Sequence, residues 1–230
     1  MRCEDRTGVL RATGIVLAGG RSQRFGRDKL MEDIDGEPLV HRAIRALHAV
    51  CDEVIVSIGD ESPPLPQDLD LVVVRDRVNA QGPLAGLSAA LGEVETDLAV
   101  IVGGDMPNVS PAVLELMLAA LGEDEDVEIV ALQDGGKVRP LPCVLRASPA
   151  TAKVGTLVDS GERRLRALLS ELRVAAVPES AWRTLDPDGG SLRDIDSPGD
   201  LVLCLRNNLV DCVYVSDDRS GAASDQRTTI

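Results

Sequence analysis

Aromatic side chains are nearly missing: Phe25, Trp182 and Tyr214 are the only ones in 230 residues, so the 44% hydrophobic content is built from Leu, Val, Ile and Ala. A core of that kind suits alternating strands and helices rather than an aromatic-rich sandwich. Cysteine is sparse and scattered. Cys3, Cys51, Cys143, Cys204 and Cys212 are odd in number and nowhere form Cys-x-x-Cys, which argues against a disulfide framework or a zinc site and predicts reduced thiols. His41 and His48 lie in a helical stretch without Cys, Asp or Glu at ligand spacing, and read as surface or core residues. No run of ~18 apolar residues occurs, and the charged start at Met1 lacks the apolar core of a signal peptide, so a soluble cytoplasmic protein is expected. Cations are outnumbered, 24 Lys and Arg against 38 Asp and Glu, for a net charge of -14. That balance argues against nucleic acid or an anionic membrane as the main partner, while one small anion in a basic pocket stays compatible.

Against this acidic background the stretch Leu17-Ala-Gly-Gly-Arg-Ser-Gln-Arg-Phe-Gly-Arg-Asp-Lys29 carries Arg21, Arg24, Arg27 and Lys29 with Asp28 as its only acid. It follows the apolar run Gly14-Ile-Val-Leu-Ala18, which reads as a buried strand ending in a glycine loop. Gly19 and Gly20 allow backbone N–H groups to approach an anion closely. The whole resembles a phosphate grip, yet it is neither of two familiar ones. Lys29 is followed by Leu30 rather than Ser or Thr, and Gly19-Gly20 with Gly26 does not give Gly-x-Gly-x-x-Gly.

Apolar periodicity predicts strands over 14–18, 53–58, 71–74, 98–102, 127–132, 142–146 and 173–177, with a short one over 193–196. Helices are predicted from Pro38, Pro83, Pro111 behind the cap Ser110, and Ser197, with two helical pieces within 148–172 broken near Ser160-Gly161. Asp134-Gly135-Gly136 predicts an antiparallel extension of the sheet. The strand over 98–102 runs into Gly103-Gly-Asp-Met-Pro107, which puts Asp105 in the crevice where open α/β sheets bind ligands. Magnesium takes one or two carboxylates plus substrate phosphates, so Asp105 is the leading metal ligand. Gly82-Pro83 should present N–H groups above the sheet, and Arg163, Arg164 and Arg166 form a basic cluster at a helix start, where the dipole does not favour cations. The organisation expected is an N-terminal extension over 1–12, one domain over 13–210 and a disordered tail over 211–230.

The opening motif closely resembles that of the molybdenum cofactor guanylyltransferases of the nucleotidyltransferase superfamily, supported in order by Gly82-Pro-Leu-Ala-Gly-Leu87, Gly104-Asp-Met-Pro107, Gly161-Glu-Arg-Arg164 and Asp194-Ile-Asp-Ser-Pro198. The resemblance implies a Rossmann-like, open, mostly parallel sheet flanked by helices with an antiparallel extension. It also implies magnesium-dependent transfer of GMP from GTP to molybdopterin, with transient contact with molybdoenzymes or their chaperones. It implies nucleotide contacts from Leu17, Ala18, Gly19, Gly20, Lys29, Asp76, Gly82 and Asp105, with Ser57 standing where the family has an asparagine. Arg21, Arg24 and Lys29 take catalytic roles, and Arg163 and Arg164 meet the pterin acceptor. Asp194 and Asp196 replace asparagines of the family; they bind the acceptor, or Asp196 adds a second metal carboxylate. Asp196 resembles the arrangement in related cytidylyltransferases, so CTP is the rival donor, whereas Gly20 and the intact Gly82–Gly86 run favour GTP. Another small-phosphate acceptor, or a non-enzymatic GTP-binding module, are the remaining alternatives.

Overall fold

The computed structural model describes residues 11–19, 30, 32–34, 36–59, 65–75, 82–197 and 199–200. Apolar β-branched runs place β1 (Ala12–Ala18), β4 (Glu53–Ile58), β5 (Val72–Arg75) and β6 (Leu98–Gly103) side by side, all parallel, in the order β5-β4-β1-β6. All six residues of β6 are buried because helices cover both of its faces. Alternate strand residues divide between two cores. Val16, Val56, Val100 and Val102 pack with α1 (Leu39–His48) and α3 (Pro111–Gly122). Ile15, Ile55, Ala99 and Ile101 pack with α2 (Pro83–Leu91), α4 (Ala147–Asp159) and α5 (Leu168–Glu171). Each of these aliphatic side chains contributes roughly 1.5–3 kcal/mol by leaving water, which is how the fold manages without aromatics.

The sheet continues through β8 (Lys137–Arg146), antiparallel to β6, then β7 (Ile129–Asp134) and β9 (Val174–Val177). Gly135 and Gly136 make the expected hairpin turn, with φ of +55° and +74°. β8 begins five residues earlier than its apolar run suggested, and Pro140 and Pro142 are tolerated because β6 pairs only with Cys143–Arg146. The β7–β9 end is held by Glu128, buried and accepting from Lys153 Nζ at 2.9 Å and the Arg173 N–H at 2.9 Å. Those contacts, the Arg173 amide foremost, keep its carboxyl below the usual range.

Several elements escaped the sequence reading. A two-stranded ribbon, β2 (Asp33–Ile34) with β3 (Glu37–Pro38), precedes α1, which therefore begins at Leu39 rather than Pro38. A short α6 (Glu179–Trp182) buries Trp182, whose indole N–H donates to the Gln133 carbonyl at 2.9 Å. The short strand expected over 193–196 is not formed. Its Ile195 N–H donates instead to the Asp105 carbonyl at 2.9 Å, a contact outside any ladder. Beyond it Ser197 and Asp200 make the reciprocal bonds of a capping box, as the Ser-Pro-Gly-Asp spelling implies. No helix among the described residues is long and apolar enough to cross a membrane. Burial pushes the Cys51 and Cys143 thiols up to about 12, so neither is a nucleophile at neutral pH. The extension, apart from Arg11 and Ala12, and the tail lie outside the described residues, and Ala12 already belongs to β1.

Candidate active site

β1 and β6 are parallel neighbours with Leu17 opposite Gly103, so their carboxyl ends finish on one rim of the sheet. The Gly104 N–H donates to the Leu17 carbonyl at 3.0 Å, tying the two ends together. A β-carbon at Gly104 would meet the Leu17 oxygen and Leu30 Cδ2 at 3.3 Å and the Ala18 Cα at 3.4 Å. Leu17 and Ala18, before the basic stretch, and Leu30, after it, thus all lie against the residue preceding Asp105. Gly19 continues the rim, close to the backbone of Gly59 at the end of β4. Gly20, Arg21, Arg24, Lys29 and Asp76 lie outside the described residues.

Asp105 is half-buried, and its Oδ1 sits over Gly103 so closely that a β-carbon there would collide with it. Its carbonyl accepts the Ile195 N–H, and Ile195 is fully buried, so the exposed Asp194 and Asp196 flank the anchored point. Among the described residues no group of three or more His, Cys, Asp or Glu side chains forms a closed metal centre. The donors on the rim are carboxylate oxygens, with Asp105 foremost. That set fits magnesium, which draws its remaining ligands from phosphates and water, and does not fit a structural zinc.

Two residues expected at the nucleotide also have partners within the protein. Ser57 is buried, and its hydroxyl donates to the Gly86 carbonyl within α2 at 3.1 Å. A β-carbon at Gly86 would lie 2.8 Å from the Ser57 hydroxyl oxygen, so Ser57 fastens α2 to β4. The first turn of α2 does not offer the open N–H groups anticipated from Gly82-Pro83. Pro83 has none, the Leu84 N–H donates to the Arg163 carbonyl at 3.3 Å, and the Ala85 N–H donates to the Gly82 carbonyl at 3.2 Å. Gly82 instead lets the 160–167 loop approach: its φ is +84°, and a β-carbon would meet the Arg163 oxygen at 2.9 Å. Hence Gly82 and Arg163, expected on nucleotide and acceptor respectively, are neighbours.

Arg163, Arg164 and Arg166 are all exposed. The cluster is less basic than its spelling, because Glu162 pairs with Arg164, Oε1 to Nε at 3.1 Å. No sequence signal announced the contact of Arg163 with α2 or of Ile195 with Asp105, since both join segments far apart in the chain.

Residues 14–177 match the MobA-like NTP transferase domain. The chain is 34% identical over 200 residues to a protein of Chloroflexus aggregans described as a probable molybdenum cofactor guanylyltransferase, covering 83% of this chain and 92% of that one. A protein of Natronomonas pharaonis with the same description is 31% identical over 197 residues, covering 82% and 94%. Among solved structures, molybdopterin-guanine dinucleotide biosynthesis protein A from Archaeoglobus fulgidus shares the fold with a TM-score of 0.71 at 22% identity, over 86% of this chain and 99% of that one.

Proposed function

Because the chain belongs to the MobA-like NTP transferase family and is a nucleotidyltransferase of molybdenum cofactor biosynthesis, we propose that it transfers GMP from GTP to molybdopterin and releases pyrophosphate. The observation that carries this reading is the shared rim, where the ends of the basic stretch and Asp105 close on Gly104.

In the reaction a terminal phosphate oxygen of the acceptor forms a bond to the α-phosphorus of GTP, and the bond from that phosphorus to the β-phosphate oxygen breaks. Several anionic oxygens converge, so the demand on the protein is for cations and fixed donors rather than a covalent nucleophile. Leu17, Ala18, Gly19 and Gly20 hold the nucleotide through main-chain groups. Arg21 and Arg24 take its phosphates, and Lys29 neutralises the α-phosphate as negative charge shifts to the leaving group. Asp76 and Ser57 contact the base, and Gly82 lies beside the nucleotide. Magnesium would be held by Asp105, with Asp196 as a second carboxylate, and would supply charge neutralisation between nucleotide and acceptor oxygens. Arg163, Arg164 and Asp194 bind the acceptor. Molybdoenzymes or their chaperones are the expected recipients of the product.

Pyrophosphate release should require magnesium, GTP and molybdopterin together. Lys29→Ala and Asp105→Asn should each lower it by about 10²-fold or more with little change in thermal midpoint. GTP binding without release would point to an accessory module, and faster release with CTP would reassign the donor.

A further inference from the structure

The loop that bears Arg163 and Arg164 is fixed at its start by the end of α4. Gly161, at φ +85°, donates to the Val158 carbonyl at 2.9 Å, and the Glu162 N–H donates to the Leu157 carbonyl at 3.0 Å, the paired bonds of a Schellman motif. The Glu162 backbone is thereby set. Its side chain then turns forward along the chain: Oε1 accepts the N–H of Arg163 at 2.8 Å, the N–H of Arg164 at 3.0 Å and Arg164 Nε at 3.1 Å, and Oε2 accepts Arg164 Nη2 at 3.3 Å. Beyond the loop, buried Leu165 and Leu168 anchor the chain to the sheet. Between these anchors one carboxylate holds the Arg163 and Arg164 amides, and the Leu84 N–H holds the Arg163 carbonyl.

The two arginines leave this arrangement in different states. The Arg164 guanidinium is engaged by Glu162. Arg163 contributes its carbonyl to Leu84 and its Cβ lies 3.0 Å from the place a Gly82 β-carbon would occupy, while its side chain is exposed. We infer that Glu162 is a positioning residue for the acceptor: it occupies Arg164 and holds the loop so that Arg163, leaving the chain beside Gly82, is the guanidinium that meets the acceptor phosphate. This rests on the proposed transfer to a phosphorylated acceptor. It does not need Glu162 to touch any substrate.

The test is steady-state pyrophosphate release by the full chain, with molybdopterin varied at saturating magnesium-GTP and then GTP varied at saturating molybdopterin. Arg163→Ala should raise the molybdopterin KM by about tenfold or more, the size expected for a lost charge-assisted hydrogen bond. Glu162→Ala should raise the same KM by about fivefold, with kcat and the GTP KM within about twofold of wild type, and Glu162→Asp should recover part of the loss because a shorter carboxylate still reaches the second amide. An unchanged molybdopterin KM in Glu162→Ala overturns the inference. So does a lowered one, which would mean the carboxylate competes with the acceptor for the same donors, and so does a parallel rise in both KM values with a fall in thermal midpoint, which would mark a merely structural role. A wild-type chain that releases no pyrophosphate sinks the proposed function and this inference together, whereas normal wild-type turnover with unmoved variants sinks the inference alone.

Discussion

At the strand rim, Gly104 and Asp105 are held to Leu17 and Ile195 by main-chain bonds of 3.0 and 2.9 Å, whereas in the 160–167 loop the N–H groups of Arg163 and Arg164 are held by a side chain that is itself a quarter exposed. Removing a side chain cannot delete a main-chain bond, so the rim can be disturbed only by adding atoms where glycine leaves none. In the loop those two amides answer to a single charge. The proposed transfer would gain from this division: the reacting phosphate needs a fixed position, while a grip on the acceptor could be tuned without moving it.

Gly103→Ala is the sharpest way to break the comparison. The new β-carbon would enter the space of Asp105 Oδ1 and lie 3.2 Å from Met106 Cγ. The carboxylate is the part able to move, so pyrophosphate release should fall by about 100-fold while unfolding in urea shows a loss of only about 1–2 kcal/mol. At the loop, Gly161→Ala meets no atom within 4 Å and is strained only by its φ of +85°, so a similar loss of about 1–2 kcal/mol should leave release at saturating substrates nearly intact. Equal falls in release for the two variants would erase the distinction.

A smaller effect sharpens the role of α2, which joins the two regions through Ser57 at one side and Arg163 at the other. Gly86→Ala should cost about 1–3 kcal/mol by pressing on the Ser57 oxygen. Ser57→Ala should cost about 1 kcal/mol or less, because the Gly86 carbonyl keeps a helical partner. Combined, the two should recover most of the first loss, since the added methyl then occupies the vacated space. Urea titration of the three variants reads this directly. A marked change in GTP preference over CTP in Ser57→Ala would give Ser57 a role at the base as well as on α2.

The parallel half of the fold was legible because each strand between covered faces must be a continuous apolar run, and Leu98–Gly103 is that run in its purest form. The ribbon at Asp33–Pro38 was not, since two-residue strands are too short to show alternation. Nor was α6, which owes its place to Trp182 entering the core rather than to periodicity. For the site, Asp105 at a strand end was readable from local spelling. The bonding of Ser57 to Gly86 and of Ile195 to Asp105 was not, because a hydroxyl or amide has many possible partners and only the packed fold selects one.

The least perturbing measurement bears on the loop alone. The Glu162 carboxyl is lowered to about 2, first by the Arg164 guanidinium, then by the amides of Arg164 and Arg163. A carboxyl depressed in the folded chain stabilises it above the ordinary carboxylate range, and that contribution is lost only as pH falls through the depressed value. From neutral pH down to 4, Glu162 should therefore remain ionised, and its side-chain carboxyl carbon resonance should stay flat while ordinary exposed glutamates titrate. In Arg164→Ala the largest cause of the shift is gone, so the same resonance should begin to move by pH 4. Because the group stays open to solvent on one side, overall stability should hardly respond. If Glu162 in the wild-type chain is half-protonated at pH 4, the carboxylate does not hold the loop as described, and the contrast with the main-chain rim loses its softer member.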